Sequence, residues 1–285
     1  ADPGNGGGPG DPGDGPRAVS DAGPDHRAKR AGVTILRPRP LDYASAVGAL
    51  DGTPTKRLWE LALGERRLNH KPVLTDAERT EYIRDTLNLN LVRTTEYVKP
   101  YNNDDHVRTD DDAALLDAIA DKHGERPGVI TTTTALDEYT EAGVLDPDRD
   151  EHGTLTGDVN DGPADAVRWY GNVLGSNEFK ETRLGAVIGS NHYGDQYIKK
   201  WGAYDGDAVE RGDGKGADLS YSGVGDDVLR HMREHDTLQA AMRFGRDGNG
   251  AVVYVHTNTL PDWVPLAGEG RVTRTRSDAE RDVIT

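Results

Sequence analysis

The sequence predicts an α/β domain with a mostly parallel sheet and flanking helices over roughly residues 85–265. Strand-length β-branched or aliphatic runs alternate with longer amphipathic stretches, the pattern of β-α-β units. The order strand, loop, helix occurs twice in similar form, in "GVITTTTALDEYTEAG" and in "TRLGAVIGSNHYGDQYIKKWGAY". A further run, "GAVVYVHT", closes the pattern after the helical stretch "DDVLRHMREHDTLQAAMRFGR", which has a break near Asp236.

Residues 1–30 are Gly/Pro/Asp low complexity with nothing to bury, and a disordered tail is expected there. "GVTILRPRPLDYASAVGALDGTPT" reads as a short strand, a loop and a second apolar run, Ala44–Leu50, ending in a turn. "KRLWELAL" carries Leu58, Trp59, Leu61 and Leu63, which suits a short amphipathic helix. "TDAERTEYIRDTL" starts with an N-cap candidate, Thr75, followed by first-turn acids. "LNLVRTTEYVKPY" is strand-like, and "DDAALLDAIADKHG" runs as a helix from an Asp-rich cap to a Gly stop. The closing "VTRTRSDAERDVIT" reads as the start of another helical element. The expected divisions are 1–30, 31–80, 81–265 and 266–285.

Composition narrows the function classes. The chain has 285 residues, 34 Lys+Arg against 50 Asp+Glu, a formal charge of −16 and a mean hydropathy of −0.73. The excess acid is spread along the whole chain, as on the solvated surface of a salt-adapted cytoplasmic protein. With no Cys there is no disulfide framework and no thiolate metal site. No apolar run approaches the ~20 residues that span a bilayer, so no membrane partner is expected.

Against this acidity, Gln239, Arg243 and Arg246 form a spaced group before a Gly-rich turn. Offsets of four and three predict one helical face for all three. Arginine's planar fork suits phosphate oxygens, so the pair would serve as fingers on a transferring phosphoryl group. The competing reading is two surface arginines paired with Glu234 and Asp236.

"QAAMRFGR" resembles motif VI of superfamily 2 helicases: Gln239, Arg243, Gly245 and Arg246 match, while Ala240 and Met242 stand where the motif has its first Arg and Gly. "LDGTPT", with Asp51, Thr53 and Thr55, resembles motif III, the turn that closes the first RecA-like domain and couples the two domains. Phrases such as "GAVIGSNHYGD" are similar to helicase-like proteins of halophilic archaea. The resemblance implies the end of a first RecA-like domain in 31–80 and a second RecA-like domain in 81–265. It also implies ATP and Mg²⁺ shared with the missing part of the first domain, and a nucleic-acid partner, DNA by expectation. Thr131, Thr132, Thr133 and Thr134 would lie near the nucleic-acid backbone, and Gly189, Ser190 and Asp195 would face ATP or the strand.

No G-x-x-x-x-G-K-[ST] occurs, and "GDGKGA" has Gly216 where a Mg²⁺-binding hydroxyl is required, so the chain alone should not hydrolyse ATP. The resulting expectation is the C-terminal motor domain of an ATP-dependent helicase or translocase. The alternative is a non-catalytic nucleic-acid-binding or regulatory module. Tyr193, Tyr197 and Trp201 are candidates for base stacking. Asp146, Asp148 and Asp150 begin like a calcium loop, but Glu151 and Gly157 break that pattern, leaving an acidic loop. His231 and His235 lack a third ligand, and no metal site is expected. His192 sits beside Asp195 in a loop where a ligand could reach it.

Overall fold

The computed structural model describes residues 43–64, 68–173, 176–274 and 281–284, with backbone only from 271 on. The tail over 1–30 and the short strand read at the start of "GVTILRPRP" lie outside the described residues. All described residues fall in one unit of the chain.

The elements, in order, are α1 (Lys56–Ala62), α2 (Asp76–Glu81), β1 (Leu89–Arg93), α3 (Thr109–His123), β2 (Gly128–Thr131), α4 (Thr133–Glu141), β3 (Asp146–Arg149), β4 (Leu155–Asp161) and β5 (Ala166–Trp169). They continue as β6 (Leu184–Ile188), α5 (Asp195–Asp205), α6 (Gly225–Arg230), α7 (Asp236–Ala241), β7 (Ala251–His256), β8 (Gly268–Glu269), β9 (Arg271–Arg274) and β10 (Arg281–Ile284). Eight strands form one sheet in the order β3-β4-β5-β2-β6-β7-β1-β8. The six strands from β5 to β8 in that order are parallel, and β4 alone runs against them, antiparallel to both β5 and β3. The fold is α/β, as the alternation of patterns predicts.

Burial on both faces explains the near-continuous apolar strands. In β6, Leu184, Ala186 and Ile188 pack with Leu115, Ile119 and Leu136 of α3 and α4, whereas Val187 packs with Leu238 and Phe244 on the other side. A third cluster joins Leu58 and Leu61 of α1 to Ile198 of α5 and Val228 of α6. Thr75 caps α2 in a capping box with Glu78, and Gly124 ends α3 at φ +69°.

Four expectations are corrected. The acidic stretch from Asp146 to Gly162 is an edge hairpin, β3–β4, and not a loop; Asp150 forms its turn by accepting the His152 and Thr154 N–H groups. Its alternating acids stay in water at the sheet edge, where charge discourages further strand pairing. Ala44–Leu50 is irregular and exposed. The C-terminal stretch read as helical pairs as β9 with β10, in keeping with its β-branched Val272, Thr273, Val283 and Ile284. Finally, α7 ends at Ala241, so Arg243 and Arg246 do not share a helical face with Gln239.

Phe244 explains that early ending. It is fully buried and stacked on Phe179, with ring centroids 4.8 Å apart at 17°. The ring lies over Gly185, where an added Cβ would come within 2.8 Å of it. Gly245 then turns the chain at φ +61°, with its backbone against Gly250. Phe244→Ala is expected to cost about 3–5 kcal/mol, read as a lower denaturant midpoint; a cost under about 1 kcal/mol would mean the ring is not the anchor of this turn.

Candidate functional site

Thr53 and Thr55 alternate along an extended segment, so their side chains lie on one side of it. Opposite them, His231, His235 and Gln239 repeat every four residues along the helical run made by the π-helical turn 231–235 and α7. Gln239 Nε2 donates to Thr53 Oγ1 at 2.5 Å. Thr55 Oγ1 lies 3.0 Å from His231 Nδ1 and 3.2 Å from His235 Nδ1. Asp51 steadies the segment from within by accepting the Thr53 N–H at 3.0 Å and Trp59 Nε1–H at 2.9 Å. The structure therefore brings Asp51, Thr53, Thr55 and Gln239 together across 186 residues of sequence.

The arginines follow α7 at the amino-terminal end of β7. Arg243 Nη1 donates to the Ser176 carbonyl at 3.3 Å, its Nε is buried without a partner, and burial and then the Arg246 charge lower its pKa. Arg246 is exposed and makes no ion pair or hydrogen bond among the described residues. The carboxylate beside it, Asp247, is engaged instead by Arg183 and Asn249. Glu234 and Asp236 do not pair with either arginine: Asp236 accepts from Asn191 Nδ2 at 2.7 Å, and burial pushes its carboxyl up to about 6. Two guanidiniums thus stay without carboxylate partners in an acid-rich chain, a donor set that fits phosphate oxygens. No carboxylate in this arrangement fits Mg²⁺.

The other expected residues sit at the opposite, carboxyl-terminal ends of the strands. Five residues of β6, at roughly 3.3 Å each, separate them from the arginines. Gly189, at φ +70°, packs so close to Tyr101 that a Cβ would lie 2.5 Å from its ring. Ser190 is fully buried, donating its N–H to the Lys99 carbonyl at 2.8 Å and leaving its hydroxyl without a partner. His192 Nδ1 accepts the Gly194 N–H at 3.0 Å, which puts its proton on Nε2, a buried atom with no partner. Burial, then the Arg233 charge, lowers its pKa. Asp195 is engaged by Tyr221, whose OH it accepts at 2.6 Å, and by Arg211, and the Tyr221 bond leads the lowering of its pKa. Of the four threonines, Thr131 donates to the Ile188 carbonyl at 2.8 Å and Thr132 caps α4 by accepting the Ala135 N–H. Both hydroxyls are engaged within the fold, while Thr133 is exposed and Thr134 half-buried.

Compared with protein-family models, curated proteins and solved structures, the chain matches none.

One buried cluster at these strand ends escaped sequence reasoning. Asp112, in the first turn of α3, accepts from Lys99 Nζ at 2.9 Å, Tyr101 OH at 2.7 Å and Tyr139 OH at 2.9 Å. His256 Nε2 lies 3.5 Å from Asp112 Oδ1, the oxygen that Lys99 also meets, while His256 Nδ1 meets Thr94 Oγ1 at 2.7 Å. Burial drives the Asp112 carboxyl up against the pull of Lys99, pushes both tyrosines up and depresses His256. Asp112, Tyr101 and Tyr139 are fully buried. The cluster fastens the 94–101 loop, where Lys99 holds a left-handed φ of +46°, over the sheet end. In sequence, Asp112 is one of three consecutive aspartates at a helix start, and nothing local marks it out.

A groove of about 880 Å³ runs between Ala44–Leu74 and the α7 side, reaching Leu238, Met242 and Trp263. Its rim carries strongly exposed apolar side chains, with Leu50 at 97% and Val73 at 88% of full exposure. Among the described residues, no group of three or more His, Asp or Glu is placed to hold a metal ion, and no helix is long and apolar enough to cross a membrane.

Proposed function

We propose that the chain is the C-terminal motor domain of an ATP-dependent DNA helicase or translocase, supplying arginine fingers to a nucleotide held by a first RecA-like domain. The observation that carries this reading is the Gln239–Thr53 hydrogen bond, which joins the two stretches that separately resemble helicase motifs. The same contact ties the segment nearest the partner domain to the helix that leads into the arginines.

In this reading, ATP and Mg²⁺ sit on the partner domain, whose phosphate cradle this chain lacks. Arg246 reaches the γ-phosphate, and Arg243, held by Ser176, positions the turn that presents it. The apolar groove beside Met242 receives the partner domain, covering Leu50 and Val73. The strand contacts lie at the far end of the sheet, where Thr133, Thr134 and the exposed Tyr97 and Tyr193 offer hydroxyls and rings. Ser190 and His192 belong with that strand end and not with ATP. With a net charge of −16, grip on DNA rests on hydrogen bonds and stacking more than on phosphate neutralisation.

The test is ATP turnover by this chain joined to its own P-loop domain, with and without a DNA strand. Turnover stimulated by DNA is expected. DNA binding without any turnover would leave a non-catalytic binding module in its place.

A further inference from the structure

Thr55 occupies the N-cap position of α1, yet its hydroxyl makes no capping bond. A capping Thr is ordinarily worth about 1 kcal/mol to its helix, so diverting it needs a reason. Here the hydroxyl turns to His231 and His235, whose Nδ1 atoms are themselves 3.1 Å apart, with ring centroids at 5.1 Å and planes 75° apart. The three polar atoms form a near-equilateral triangle with edges of 3.0, 3.2 and 3.1 Å. Such a triangle has room for shared protons between neutral imidazoles, and two imidazolium rings cannot keep it. The π-helical turn 231–235 is the local irregularity that carries both rings, and π turns inside helices recur where side chains must be re-aimed.

We propose that His231 and His235 are positioning residues that form a proton-operated clasp on the 51–55 strap, holding Thr53 against Gln239 while both rings are neutral and releasing it when they are protonated. The strap is the element that the motor reading places between the two domains, so the functional meaning of the clasp rests on that reading, although its operation does not. The charged groups facing the pair are few. From the strap, Asp51 favours protonation of both rings and the Thr53 backbone favours that of His235; from α2, Arg79 opposes that of His235. Burial dominates for both and keeps them neutral, with His235 lowered to about 4, first by burial and then by His231.

The sign follows from the depressed value. The released strap leaves ordinary imidazoles, with pKa near 6.5, whereas in the closed clasp His231 is held below that value and His235 is lowered to about 4, so release takes up protons. Closure is therefore undisturbed above about pH 6.5, and the fraction open rises about tenfold per pH unit for each proton taken up as pH falls towards 4.

The experiment is hydrogen exchange of the amides of 51–63 in the full chain between pH 7.5 and 4.5, corrected for intrinsic rates, with the amides of β6 as an internal control for global unfolding. Trp59, whose indole N–H is held by Asp51, gives a parallel fluorescence signal. In the wild type the strap is expected to open ahead of β6 as pH falls. The double variant His231→Gln/His235→Gln retains hydrogen-bonding amides without titration, and its strap is expected to lose that pH dependence. Thr55→Val is expected to exchange fast at every pH. A wild-type strap that opens only together with β6, or a Gln variant with an unchanged pH profile, would overturn the clasp. If the Gln variant fails to fold, the wild-type profile alone decides. Loss of ATP turnover in the joined protein would count against the motor reading and leave this result untouched.

Discussion

Arg246→Ala is expected to lower ATP turnover of the joined motor by about 10³–10⁵-fold, with little change in nucleotide affinity. The distinction between the two arginines is structural. Arg243 is half-buried and committed to the Ser176 carbonyl, so its removal disturbs the turn itself. Arg246 is exposed, and its neighbour Asp247 is occupied by Arg183, so the guanidinium stands free to meet charge that develops on a phosphoryl group. Arg246→Lys keeps the charge but loses the planar fork, and should recover only part of the rate. Turnover at saturating ATP, beside the affinity for a non-hydrolysable analogue, separates the two effects. An Ala variant that turns over at the normal rate would remove Arg246 from this role.

Asp112→Ala is expected to cost about 3–5 kcal/mol, lowering Tm by on the order of 10 °C in a domain of this size. The carboxylate is fully buried and satisfies one ammonium and two phenols at once. Its removal leaves Lys99, almost as buried, with no counter-charge. Adding Lys99→Met to Asp112→Ala takes away that stranded charge, so the double variant should be less destabilised than the sum of the two single changes. Differential scanning calorimetry on the four proteins closes this cycle. A single Asp112→Ala change costing under about 1 kcal/mol would show that the cluster does not hold the 94–101 loop.

What could be read from sequence was whatever repeats locally. β2 with α4 and β6 with α5 are legible because a β-branched run followed by a 3.6-residue period has few other solutions, and Thr75 with Glu78 carries its own capping signature. The β3–β4 hairpin was not, because an exposed acidic edge strand lacks the apolar alternation that marks a half-buried one. The end of α7 was not, because nothing local shows that Phe244 must leave the helix to reach Phe179. The Asp112 cluster draws on Lys99, Tyr139 and His256 from separate stretches, so only the fold assembles it. The pairing of Thr55 with His231 and His235 spans 176 and 180 residues of sequence, so nothing local announces it.

Gly128 and Gly185 are register partners in β2 and β6, and an added Cβ on either meets the Phe179–Phe244 pair. The two bare backbones therefore make a flat seat shaped for one stacked pair of rings. If β2 slid along β6 by a single residue, Pro127 or Val129 would come opposite Gly185 and the seat would be filled. The aromatic pair thus proofreads the strand alignment. The turn bearing Arg243 and Arg246 can settle only on a sheet that has already been assembled correctly.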